Sequence, residues 1–267
     1  MTDFETILLR AEEACAPVWA KLEATERACF SRVLRCMQAE QVAARHFAPT
    51  TGYGYDDIGR DTLERVYAAV FGCERALVRP QIVSGTHALA VALFGLLRPG
   101  ERLLSAVGKP YDTLEKVIGI GARFDGSLAD WGVFYDQAEL LEDGAVDLKA
   151  IVEKIRPKTR VVLVQRSRGY AWRPSLSLSD IEAVCAAVRA ANPEAVVLVD
   201  NCYGEFTQEK EPSAVGADVI VGSLIKNPGG GLAPTGGYIA GRAHAVERIA
   251  QRLTSPGIGG EVGSYAA

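Results

Sequence analysis

Three short runs, TRVVLVQ (159–165), AVVLVD (195–200) and DVIVGS (218–223), are apolar through their interiors with no polar alternation. A strand with one face in water alternates, whereas a strand covered on both faces does not. Between the first two lies SLSDIEAVCAAVRAA (177–191), a serine-capped segment with apolar residues at helical spacing. The same alternation runs outward in both directions. ALV (76–78), RLLSA (102–106), GVFYD (132–136) and GGYIAG (236–241) read as further strands. SGTHALAVALFGLL (84–97), YDTLEKVIGIG (111–121), DLKAIVEKI (147–155) and AHAVERIAQRL (243–253) read as helices. Such a chain is expected to be α/β and three-layered, with helices on both faces of a buried, mostly parallel sheet. Residues 1–50 form a helical arm ahead of it, and APTTGYGYDDIGR breaks the pattern with Pro49, Gly52, Gly54 and Gly59. DTLERVYAAVFG then resumes a helix, with Asp61 expected as its N-cap, Glu64 three residues on, and Gly72 closing it.

In a sheet of this kind ligands sit beyond the carboxyl ends of the strands. Gln165 and Arg166 end one strand, Asp200 ends a second, and Ser223 and Lys226 follow a third. Lys226 stands in SLIKNPGGG, where a proline and three glycines turn the backbone tightly. It reads either as a solvated loop lysine or as a lysine that bonds a cofactor aldehyde, its proton displaced by burial beside other cations. Asp200 reads either as a cap for the next segment or as the anion facing a protonated ring nitrogen. Ser223 lies close enough to Lys226 in sequence to bond a phosphate. Ser84, Gly85 and Thr86 open a helix, which is either a plain serine cap or an anion site at the helix's positive end.

Composition narrows the classes. Net charge is −4 with a pI near 5.6, and no basic tract points to nucleic acid. No apolar run reaches the roughly 18 residues of a membrane span. The first residues, MTDFETILLRAEEACAP, carry early acids and no apolar core, so the chain is expected to be cytoplasmic. The six cysteines, Cys15, Cys29, Cys36, Cys73, Cys185 and Cys202, form no C-x-x-C pair and read as buried thiols. His46, His87 and His244 are scattered among them, so no metal site is expected.

Helix-opening Ser-Gly-Thr, strand-ending aspartate and S-x-x-K together resemble the fold-type I pyridoxal-phosphate enzymes. GYGYDDIGRDTLERVYAAVFG, QRSRGYAWRPS, VDNCYGEF and SLIKNPGGG are similar to signatures of one branch of the cystathionine and methionine lyase group, the aluminium-resistance or methionine gamma-lyase-like family. The resemblance runs from about residue 30 onward. It implies that residues 51–267 are the cofactor-binding large domain and that the cofactor is pyridoxal 5'-phosphate. It implies that Lys226 forms the imine, Asp200 meets the pyridine nitrogen, and Ser223 with the Gly85 and Thr86 amides holds the phosphate. Tyr111 would stack on the ring and protonate the leaving thiolate. Tyr55 would reach the phosphate of a neighbouring subunit in a homodimer or homotetramer with shared sites.

The implied activity is elimination from a small sulfur-containing amino acid, at the β or γ carbon, giving a 2-keto acid, ammonia and a thiol. An aminotransferase or racemase with the same core, and a non-catalytic cofactor-binding scaffold, are the alternatives. The sequence departs from the group at Asp57, where an arginine on the phosphate is usual, and at Ile225, where a hydroxyl residue is usual. Arg60, Arg166 and Arg168 are the residues available to compensate; QRSRGYAW also lacks the asparagine that meets the ring hydroxyl in the group, and Tyr170 stands nearest to that place in the sequence. The resembled enzymes continue into a small C-terminal domain, so the chain is expected to be a fragment or a shortened paralogue.

Overall fold

The structure is a computed structural model and describes residues 2–264 except 123. In chain order the elements are α1 (Asp3–Ala39), α2 (Ile58–Val70), β1 (Arg75–Arg79), α3 (Gly85–Leu96), β2 (Arg102–Ser105), α4 (Asp112–Ile118), β3 (Phe134–Gln137), α5 (Leu148–Lys154), β4 (Thr159–Gln165), α6 (Leu178–Ala191), β5 (Val196–Asp200), β6 (Val219–Ser223), β7 (Gly237–Gly241) and α7 (Ala243–Ala250). The strands form one seven-stranded sheet in the order β1-β7-β6-β5-β4-β2-β3. From β6 to β3 every pairing is parallel. β7 runs antiparallel to both of its neighbours. The last three residues of the expected 51–267 domain lie outside the described residues.

The unbroken apolar strands do what their pattern requires. Along β4, Val162 and Val164 enter one core with Val197, Val199 and Ile220, packed against Val66 of α2 and Ile181, Val184 and Val188 of α6. The intervening Val161 and Leu163 enter a second core with Leu198, Val219 and Val221, packed against Leu89 and Leu93 of α3 and Val246 and Ile249 of α7. Alternate residues of one strand thus feed opposite layers, and both faces stay dry. Gly95 lets α3 and α7 approach: a Cβ there would lie 2.7 Å from the Ile249 Cα.

Three expectations need correction. α2 begins a turn earlier than Asp61, at Ile58, because Asp57 accepts the Arg60 N–H at 2.8 Å and is the N-cap. β3 begins at Phe134, since Gly132 takes a left-handed turn at φ 78°. Cys15 is exposed on α1, not buried, whereas Cys29, Cys185 and Cys202 are buried. The helical arm is α1 followed by a single 3₁₀ turn over Ala44–Phe47. Thr2 and Glu5 start α1 with a reciprocal capping box. Along the 37 residues of α1, Cys29 is the buried position. Phe4, Ile7, Leu8, Val18, Leu22 and Phe30 stay exposed. No described helix is long and apolar enough to cross a membrane.

Candidate active site

The parallel register sets the site. Gln165 and Asp200 sit side by side at the ends of β4 and β5, and Asp200 pairs with Val221, two residues before Ser223 on β6. The first turns of α3 and α4 close over these strand ends. The result is a cleft of 520 Å³ whose lining includes Ser84, Gly85, Thr86, Tyr111, Asp200, Ser223 and Lys226. Seven of the eight expected site residues therefore meet in one place.

Each is held by its own local chemistry. Ser84 caps α3, its Oγ accepting the His87 N–H at 3.0 Å, so the serine cap is real and its hydroxyl is partly engaged. Gly85 carries no side chain where a Cβ would press on Cys202 Sγ at 3.2 Å and Ser223 Cβ at 3.3 Å. Thr86 Oγ1 and Tyr111 OH share a hydrogen bond of 3.0 Å. The Tyr111 N–H donates to Gln165 Oε1 at 3.1 Å, fixing that ring against the end of β4. Burial, with Asp200 adding, pushes the Tyr111 phenol above its ordinary range, so it keeps its proton. Ser223 Oγ is buried and has no hydrogen-bond partner.

Asp200 is buried and accepts the Cys202 N–H at 3.1 Å. Burial raises its pKa, opposed by that amide and by the charge of Lys226. Lys226 is half-buried and precedes a 3₁₀ turn at Asn227–Gly229. Its charge state corrects an expectation: the lysine was expected beside cations that lower its pKa. Burial does lower it, but Cys202, Tyr203 and Asp200 outweigh burial and leave it raised. Its Nζ sits 4.0 Å from the centroid of the Tyr203 ring.

The candidate compensating arginines are elsewhere. Arg166 is buried away from the cleft, donating to Asn201 Oδ1 and Gly204 O, both at 2.8 Å. Arg60 donates to Gly54 O at 2.6 Å and pairs with Asp61. Arg168 lies over the Trp172 ring. Asp57, with Thr50 and the Arg60 amide bonded to it, is accounted for as a cap. Ile225 and Tyr170 line the cleft. Tyr55 does not: it is 55% exposed and lines a separate cleft with Arg60, Glu64 and Arg75. Among the described residues no group of three or more His, Cys, Asp or Glu side chains is placed to hold a metal.

Sequence reasoning missed Tyr203 and the polar layer beneath it. Tyr238 OH donates to Glu205 Oε1 at 2.9 Å, and Asn201 Nδ2 donates to Glu211 Oε2 at 3.1 Å. Arg166 and Arg32 lie 3.8 and 3.7 Å from the Glu211 carboxylate. A run of polar residues after a strand-ending aspartate was the available signal, but it does not say which of them point inward.

A sequence model of the methionine gamma-lyase family matches residues 4–266. The uncharacterized protein YnbB of Bacillus subtilis is 56% identical over 234 residues, which is 87% of this chain and 56% of that protein. A Listeria monocytogenes structure, described as a candidate cystathionine beta-lyase involved in aluminium resistance, superposes with a TM-score of 0.96 at 52% identity, covering 98% of this chain and 64% of that one. A Listeria innocua structure of the same description gives 0.97 at 51% identity, covering 99% and 65%. The chain thus spans between half and two thirds of the length of these relatives.

Proposed function

The chain belongs to the methionine gamma-lyase family, a family of pyridoxal-phosphate enzymes, and on that premise we propose that it works as a pyridoxal 5'-phosphate-dependent carbon–sulfur lyase on a small sulfur-containing amino acid. The convergence of Lys226, Asp200, Ser223 and the first turn of α3 on one cleft carries the reading.

The residues present fit the cofactor. Ser223 Oγ is a buried hydroxyl without a partner. Beside it the 12-residue α3 begins at Gly85, where a Cβ would press on Cys202 and Ser223, and its first residues line the cleft. A phosphate there gains amide donors, a hydroxyl and the positive end of a helix. Asp200 is a buried carboxylate that gains from a cationic partner. Bound here, pyridoxal phosphate supplies an electron sink for charge developing at the substrate Cα.

The chain's own groups do the rest. Gly85, Thr86 and Ser223 would hold the phosphate, Asp200 would keep the ring nitrogen protonated, and Tyr111 would lie against the ring. Lys226 would supply the amine that holds the cofactor and, when free and neutral, the base for the Cα proton. Tyr111, whose phenol keeps its proton, donates to the departing sulfur. The net reaction consumes water and gives a 2-keto acid, ammonia and a thiol. The protein acts as a homodimer or homotetramer in which Tyr55 of one copy serves the phosphate of another. Its separation from the cleft of its own chain and the exposed apolar face of α1 support that arrangement.

Reduction with borohydride in the presence of pyridoxal phosphate tests the assignment. The cofactor should be fixed to the peptide containing SLIKNPGGG, and Lys226→Ala should abolish the label. Fixation on Lys210 or another lysine would sink the reading. Release of keto acid with free thiol separates the lyase from an aminotransferase, which needs an amino-group acceptor.

A further inference from the structure

Tyr203 is a non-glycine residue in the left-handed region, at φ 68°. Such a conformation is costly for a bulky side chain and persists where surrounding contacts impose it. Those contacts are present on both sides. The Asn201 N–H donates to Val221 O at 2.9 Å, and the Gly204 N–H donates to Asn201 O at 2.8 Å. The Arg166 guanidinium holds Asn201 Oδ1 and Gly204 O from below. Residue 204 has to be glycine, since a Cβ there would lie 2.6 Å from Arg166 Nη1. Asn227, next to Lys226, donates to Glu205 O at 2.9 Å and ties the lysine segment to the Tyr203 segment. Phe206 also sits in the left-handed region, at φ 61°. The turn over residues 201–206 is therefore built against its own backbone preference, and its product is one ring aimed at the mouth of the cleft. That ring is 60% exposed, yet its face receives the Lys226 ammonium at 4.0 Å from the centroid.

We propose that Tyr203 is a positioning residue whose ring holds the free Lys226 ammonium over the cleft whenever the lysine is not bonded to cofactor. The inference rests on the cofactor reading above. Displaced from the aldehyde, the lysine would leave as a neutral amine; once it has taken the Cα proton it is an ammonium, and until it delivers that proton it needs a place to wait. Otherwise a flexible four-carbon chain swings into solvent, and orientation is lost. A cation–π contact suits this task because it is weak enough to release the amine. The ring face does the holding, and the hydroxyl is not required.

The other titratable groups around this lysine are Asp200 and Cys202 on the same segment. Tyr111 and Asp112 at the start of α4 line the same cleft, and Glu205 lies in the layer beneath. Against burial, Cys202, Tyr203 and Asp200 all favour the charged amine. Burial first and then Asp200 raise the pKa of Cys202 itself, and Cys202 also favours the charged amine through a side-chain hydrogen bond.

The test reads Lys226 itself. The full chain is treated with a small acylating reagent from about pH 8 to about pH 11, and the rate at Lys226 is followed by mass spectrometry of its peptide. Ring removal should lower the midpoint of that profile by about 0.5 to 1 pH unit. An opened cleft would instead scale the rate equally at every pH. Tyr203→Gly is the informative variant, because glycine takes φ 68° without penalty and should leave the melting temperature equal or higher. Tyr203→Phe keeps the ring face and removes the phenol's charge, so its midpoint should stay closer to wild type than to Tyr203→Gly; a Phe midpoint as low as that of Gly would overturn the role given to the ring. In the same variants, capture of pyridoxal phosphate, followed by absorbance, should shift its pH dependence in the same direction. A wild-type protein that captures the cofactor on Lys226 while the Tyr203→Gly midpoint stays put overturns this inference alone. Failure of the wild type to take the cofactor on Lys226 overturns the cofactor reading and this inference together.

Discussion

At the scale of single residues the site is a set of buried polar groups whose costs are met only in part by the protein. Asp200 has the Cys202 amide and the charge of Lys226, and burial still holds its pKa up. Asp200→Asn keeps an oxygen for that amide and removes a buried charge. Its thermal stability without cofactor should equal or exceed wild type, while any lyase turnover falls by about a thousandfold or more. Turnover within tenfold of wild type would contradict the role given to Asp200. Glu205 behaves similarly in the layer below. Burial first, then Glu211 and Asp200, hold its pKa up to about 8 from an ordinary 4.5, and one of its oxygens has no partner. The folded state therefore binds this proton more tightly than the unfolded state. Its contribution is full below about pH 4.5 and is lost as pH rises to about 8. Glu205→Gln can still accept from Tyr238 and carries no such titration. The variant should gain on wild type between about pH 5 and about pH 8, by on the order of a few kcal/mol in urea unfolding; parallel stability curves would refute this. Lys226, Asp200 and Ser223 were legible because each follows an apolar strand, where a polar side chain has few places to go. Tyr203 was not, because a tyrosine at positive φ leaves no mark in sequence. The charge state of Lys226 was misjudged for the same reason: its neighbours come from the turn after β5.

At the scale of elements, pattern and packing agree wherever both faces are buried. All seven strands were legible, since unbroken apolar runs between amphipathic helices leave one architecture open. The direction of β7 was not legible. It follows β6 through residues 224–236, which hold a 3₁₀ turn and no α-helical crossover, so the chain returns antiparallel beside the strand it left. The start of α2 was misplaced because two aspartates compete for the cap, and Gly59 disguises the first turn as loop. Substitution separates them. Asp57→Ala removes the Arg60 amide bond and the Thr50 contact of a buried cap, and should cost about 1 to 2 kcal/mol in denaturant unfolding. Asp61→Ala loses an ion pair that is exposed on the aspartate side, and should change stability by less than about 0.5 kcal/mol. Equal effects at the two positions would overturn the placement of the cap.

At the scale of the whole molecule, what is unusual is how much the N-terminal third leaves uncovered. α1 is 37 residues long, about 55 Å, and its apolar positions Phe4, Leu8, Val18, Trp19, Leu22 and Phe30 are exposed. A groove of 390 Å³ with Val33, Met37, Phe47 and Leu63 on its walls lies where α1 meets α2. Tyr55 stands out on the loop between the arm and the sheet, against Tyr53 and away from Lys226 of its own chain. A second copy would cover the first feature and use the last. The chain, at 28.6 kDa, is expected to sediment as a dimer or a dimer of dimers. Trp19→Glu together with Leu22→Glu should shift it toward monomer. In a two-fold pair every contact occurs twice, so the proposed arrangement would make two shared sites, each with Lys226 from one copy and Tyr55 from the other. Tyr55→Ala should bind pyridoxal phosphate weakly, and Lys226→Ala should fail to fix it with borohydride. When equal amounts of the two variants exchange subunits, a mixed dimer gathers both lesions into one site and leaves the other intact. Random exchange makes about half the dimers mixed, so about a quarter of all sites should recover wild-type cofactor affinity and fixation. No recovery after confirmed exchange would mean that Tyr55 serves its own chain or no phosphate at all.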